Sequence, residues 1–101
     1  MCNLPDWLTA AMRVALLGEI YPNIRAIAVG LGDSDDVLLR YYIDRIPTEF
    51  DTESIEVVAT NLDATLEEGR LKKLDVECIH STALLRDIEP LNGFIYARRE
   101  Y

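Results

Sequence analysis

Cys78 and His80 stand two residues apart, with Ser81 beside the histidine, and His80 is the one histidine of the sequence. Nucleophilic catalysis needs a thiol or hydroxyl next to a base that a third group orients. Here any Cys-His or Ser-His pair depends on this single imidazole, and sites built from several histidines are excluded. Residues i and i+2 of a strand share a face, so Cys78 and His80 read together as core-facing packing residues. Asp33, Asp35 and Asp36 begin like a calcium loop, but the fifth position from Asp33 is Val37 and the sixth Leu38, where an oxygen ligand and a glycine are needed. The cluster reads as a solvated turn. Gly30-Leu31-Gly32 lacks both phosphate-loop patterns. The residues point away from an enzyme and call for no cofactor or metal.

The concentrated feature is acidic. Ten Lys and Arg face 18 Asp and Glu, a formal charge of −8. From residue 49 to 68 the sequence carries Glu49, Asp51, Glu53, Glu56, Asp63, Glu67 and Glu68 with no Lys or Arg among them. The first four complement the positive end of a helix dipole. Asp63, Glu67 and Glu68 fall toward the negative end, where the helix gains nothing from them, so they suit a cationic partner. Such a surface repels nucleic acid and anionic lipid. Candidate partner-binding residues are Asp33, Asp35, Asp36, Asp51, Glu53, Glu56 and Asp63, with Leu38, Arg40 and Tyr42 as anchors on an open sheet face.

These residues need elements to hold them. Pro5 and Asp6 open a first helix over residues 7–17, closed by Gly18. Its polar stripe of Asp6, Thr9 and Arg13 is narrow, so most of the cylinder, Trp7 included, is expected to pack. Residues 24–31 are short and β-branched, and 37–44 alternate Val37, Leu39, Tyr41 and Ile43 against Leu38, Arg40, Tyr42 and Asp44, which predicts a hairpin with the aspartates at its tip. Thr48-x-x-Asp51 can cap a second helix whose Ile55, Val58, Ala59, Leu62 and Leu66 recur at helical spacing up to Gly69. Residues 74–80 and 94–99 supply two more strands, with 82–92 a connection. The order α-β-β-α-β-β predicts an α+β fold: a four-stranded, mainly antiparallel sheet with two helices on one face, in a single domain over residues 1–101.

No apolar run approaches a membrane span, the first residues lack a basic leader region, and two distant cysteines, Cys2 and Cys78, suit a reducing cytosol. Cytoplasmic location is expected, without membrane or direct nucleic-acid contact.

The run Leu39-Arg40-Tyr41-Tyr42-Ile43-Asp44-Arg45-Ile46-Pro47-Thr48-Glu49, followed by an acidic helix and a closing Phe94-Ile95-Tyr96-Ala97-Arg98-Arg99, resembles small bacterial immunity proteins. More narrowly it is similar to the immunity proteins of contact-dependent growth inhibition systems. That resemblance implies a non-enzymatic inhibitor of one cognate toxin domain, often a nuclease, in the cytosol of the producing cell. A basic nuclease groove and an acidic inhibitor are electrostatically matched. An acidic adaptor or nucleic-acid mimic that binds a basic host protein would use the same acids, and a small enzyme would need His80.

Overall fold

The computed structural model describes residues 4–67 and 70–100; Cys2, Glu68 and Gly69 lie outside them. Helix α1 spans Asp6–Ala15, with Asp6 in its first turn and Arg13 in its last, matching both dipole ends. It buries Leu8, Ala11, Met12 and Ala15. Trp7 packs at the edge of this core, with the Arg70 guanidinium 3.9 Å from its ring centroid. The helix stops two residues short of the expected end, and Val14 and Leu17 remain 54% and 76% exposed, so less of the cylinder is covered than its narrow polar stripe suggests. Gly18, at φ 76, turns the chain away.

Strand β1 (Ile24–Leu31) is central and largely buried. It pairs antiparallel with β2 (Asp36–Ile43) across a tight turn at Asp33–Asp35, as the hairpin pattern predicts. A register shift between Ile24 and Ala26 makes Arg25 a bulge residue. Its guanidinium, 6% exposed as a residue, reaches Glu100 at 2.9 and 2.7 Å and the Ser81 carbonyl at 3.0 Å.

Helix α2 (Glu49–Thr65) follows, then β3 (Lys73–His80) and β4 (Gly93–Ala97), in sheet order β3-β2-β1-β4. The sheet is mixed: β4 is antiparallel to β1, whereas β3 runs parallel to β2. Helix length explains the parallel pair. Seventeen helical residues rise roughly 25 Å, about the 26 Å run of an eight-residue strand. The helix therefore carries the chain back to the end where β2 began, and β3 must leave in the same direction.

Both helices pack on one face, where Leu8, Met12, Ile55, Val58 and Leu62 meet Val37, Leu39, Tyr41 and Ile43. The other face, which the strand alternation alone predicts to be open, is covered. Strands β3 and β4 are opposite edges, so the 81–92 connection must cross the whole sheet. Its path closes that face: Ile88 is buried with Ala26, Ala28 and Tyr42 in a second, smaller core bordered by Ile79, Leu85, Leu91 and Phe94.

Candidate partner-binding surface

Helical arithmetic sorts α2 into three lines at 100° per residue. Ile55, Val58 and Leu62 face the core. Glu49, Glu53, Glu56, Thr60 and Asp63 follow one another at i, i+4, i+7, i+11 and i+14 along the outer face, all exposed. No Lys or Arg interrupts them within the helix. Beside this acidic stripe runs a second line, Phe50, Ser54, Val57 and Asn61, on the flank toward α1. Asn61 Nδ2 donates to the Ala15 carbonyl at 3.4 Å, closing the distal end of that flank. Phe50 and Val57 are 58% and 47% exposed. Neither is among the residues expected from the sequence, although the same periodicity that places Ile55 and Leu62 also places these two together.

Asp51 leaves the acidic surface altogether. Its side chain is fully buried and forms the predicted capping box with Thr48: the carboxylate accepts from the Thr48 amide at 2.8 Å and hydroxyl at 3.0 Å, while the Asp51 amide donates to Thr48 Oγ1 at 3.3 Å. Arg45 adds donors at 3.1 and 2.8 Å, and the Tyr21 hydroxyl donates to Oδ1. These bonds, those from Arg45 foremost, hold the Asp51 carboxyl well below the usual carboxylate range against the opposing effect of burial. Burial and the same carboxylate push the Tyr21 phenol up. Asp51 is an organiser of the helix start.

The other expected residues divide between two places. Asp33 and Asp35 are exposed at the hairpin tip, with Asp36 half-buried. Asp35 takes a left-handed φ of 64°, tolerated by aspartate, and its carbonyl accepts from the Lys72 amide at 3.2 Å. Asp63 lines a shallow depression with Lys72 and Lys73, so the acid that the helix dipole leaves unexplained has cations of its own chain nearby. On the covered sheet face, Arg40 pairs with Glu77 at 2.7 Å and donates to the Tyr42 hydroxyl at 3.2 Å. That hydroxyl donates to the Glu89 carbonyl at 2.8 Å, and Tyr42 is 5% exposed. Arg40 and Tyr42 are thus engaged internally, and Leu38 is half-buried over Gly30.

Cys78 packs at the border of the main core, and burial pushes its thiol up to about 11, which disfavours the thiolate a nucleophile requires. His80, expected to face the core with it, is exposed at the end of β3. Among the described residues no cluster of three or more His, Cys, Asp or Glu could hold a metal ion, and no helix is long and apolar enough to cross a membrane.

A family model described as MafI2 immunity protein matches residues 5–100. The chain belongs to the MafI2 immunity protein family. The match runs from the cap of α1 to Glu100, so every element described above lies inside the family's extent. MafI2 proteins form a toxin/immunity group related to, but distinct from, the contact-dependent immunity proteins that the sequence resembles. The family implies a cognate toxin as partner. No curated protein matches the chain.

Proposed function

We propose that this MafI2 family member is a non-enzymatic inhibitor that neutralises a basic toxin domain, of the nuclease class, by laying its acidic surface against the toxin's cationic groove in the cytosol of the producing cell. Contact-dependent delivery of that toxin is part of the proposal. The observation that carries the reading is the exposed Glu49-Glu53-Glu56 stripe, free of basic residues within α2, on a chain of net charge −8. Opposite charge on the partner raises the encounter rate and orients the approach. Asp33, Asp35 and Asp36 at the hairpin tip and Asp63 on α2 extend the same field. Within this proposal Leu38 lies at the margin of the interface, while Asp51, Arg40 and Tyr42 support the scaffold behind it.

The test is association of the purified chain with the toxin domain encoded beside it, followed by surface plasmon resonance at low and high salt. The triple variant Glu49→Lys, Glu53→Lys, Glu56→Lys should keep its circular dichroism spectrum and lose at least tenfold in on-rate at 0.05 M salt. Wild type should show a similar loss as salt approaches 1 M, where the Debye length falls to about 3 Å. An unchanged on-rate at low salt would reduce the acidic stripe to a solubility feature. Binding of a basic host protein in place of the toxin would favour the adaptor reading.

A further inference from the structure

Between the turn that follows α1 and the apolar flank of α2 lies a groove of about 390 Å³, walled by Gly18, Ile20, Tyr21, Phe50, Ser54 and Val57 and edged by Glu19 and Glu53. It continues past Gly18 and Ile20 into a second depression of about 520 Å³ that includes Leu17, Ile95 and Tyr96. Four large apolar side chains are left to water here: Leu17 at 76%, Phe50 at 58%, Val57 at 47% and Ile20 at 43% exposed. A contiguous apolar surface rimmed by polar groups marks an interaction site far better than the same residues scattered singly. The Tyr21–Phe50 wall is held in place. Tyr21 is tied to Asp51 through its hydroxyl, and its ring stacks edge-on against Phe50 at 5.0 Å and 70°. A preorganised wall costs little to order on binding.

We infer that this groove is the anchoring half of the interface and takes an apolar or aromatic side chain of the toxin domain flanked by lysine or arginine. The inference rests on the toxin-neutralising reading above and adds the site and the chemistry of its occupant. Charge selects that occupant. Glu19 and Glu53 edge the groove, and Glu53 also belongs to the outer acidic stripe, so a neutral apolar partner would desolvate carboxylates without compensation. A cation beside the anchor pairs with them. A second copy of this chain fits poorly, because a two-fold contact sets the same patch against itself and would bring Glu53 and Glu56 toward their own equivalents. Arg13 lines the far depression and marks where the acidic edge ends.

The experiment compares Val57→Ser with Ile20→Ser in one variant, and Leu84→Ser, an exposed apolar residue outside the groove, as control. The purified toxin domain is the probe. The groove variant should raise the off-rate at least tenfold while the on-rate stays within twofold, since short-range packing acts after encounter; the control should match wild type. A photocrosslinking side chain at position 57 should attach to a toxin peptide containing Lys or Arg next to an apolar residue, and it reports on the site even if the double variant folds poorly. Unchanged off-rate with wild type still binding overturns the groove and leaves the inhibitory function standing. Crosslinking to another copy of this chain overturns the occupant. Failure of the wild type itself to bind the toxin overturns both readings.

Discussion

Replacing Asp51 by asparagine should destabilise the fold by about 2–4 kcal/mol while leaving the exposed acids in place. The magnitude follows from what the amide cannot do. One carboxylate oxygen receives the Thr48 amide, the Thr48 hydroxyl and Arg45 Nε, the other the Tyr21 hydroxyl and Arg45 Nη2. Asparagine turns one of these acceptors into a donor facing donors, whichever way it is oriented. Hydrogen bonds to charged groups contribute about 1.5–3 kcal/mol each, but Arg45 is partly exposed and regains water, so the sum is well below additive. For a chain of 101 residues the loss corresponds to a fall in melting temperature of roughly 10–25 °C. Urea denaturation read by circular dichroism measures it. The pH profile supplies a second check. A carboxyl held lower in the folded than in the unfolded chain adds stability above its unfolded value near 3.9, and loses it as pH falls toward the folded value. Glu100, drawn down to about 2 chiefly by hydrogen bonds from Arg25, acts in the same sense. Wild-type stability should therefore decline from about pH 5 to pH 2, and the Asp51→Asn variant should show a shallower decline. A variant as stable as wild type but impaired in toxin binding would refute the reasoning and return Asp51 to the interface.

Tyr41→Phe should be neutral or slightly stabilising in the same denaturation assay, because the buried hydroxyl has no hydrogen-bond partner of good geometry and Ser54 offers it only a weak contact. His80→Gln should change the melting temperature by no more than one or two degrees and leave toxin protection intact, since the imidazole is exposed; a folded variant without protection would reopen an enzymatic role. The Cys78 thiol, raised to about 11, should react with iodoacetamide at pH 8 about a hundredfold more slowly in the folded chain than after urea, and equal rates would show the strand border to be open.

Several features of the fold can be read from local pattern. The alternation of Val37, Leu39, Tyr41 and Ile43 assigns the helix-facing side of β2, and Thr48-x-x-Asp51 places the start of α2 at the right residue. Other features need the assembled sheet. The direction of β3 depends on the match between the lengths of α2 and β2, a relation between elements that no window of residues contains. The role of residues 81–92 depends on β3 and β4 ending as opposite edges. His80 has the right parity for the core, yet the packed border reaches only Cys78, and parity carries no information on where a helix layer stops. For the candidate surface, the acidic stripe was legible as composition, but composition cannot separate Asp51, turned inward by Thr48 and Arg45, from Glu53 two residues later. Phe50 and Val57 were masked for a different reason. An apolar residue in an amphipathic helix is first assigned to the core, and their exposure depends on how far α1 extends alongside.

The pairing of Arg25 with Glu100 bears on how the chain is made. Arg25 is translated well before its carboxylate partner Glu100, 75 residues further on, and before the strand that completes β1's second edge. Until they arrive, the nascent molecule holds a guanidinium at a bulge that the finished fold buries, beside an unpaired strand edge. A chain stalled or clipped after Ala97 would lose the Glu100 carboxylate and leave the guanidinium bonded to the Ser81 carbonyl and to whatever water the missing segment admits, a loss on the order of 1–3 kcal/mol that matters to a small domain. Copies cut before Glu100 would therefore be open to proteolysis, and the intact molecules that persist would be those in which the Arg25–Glu100 pair has closed.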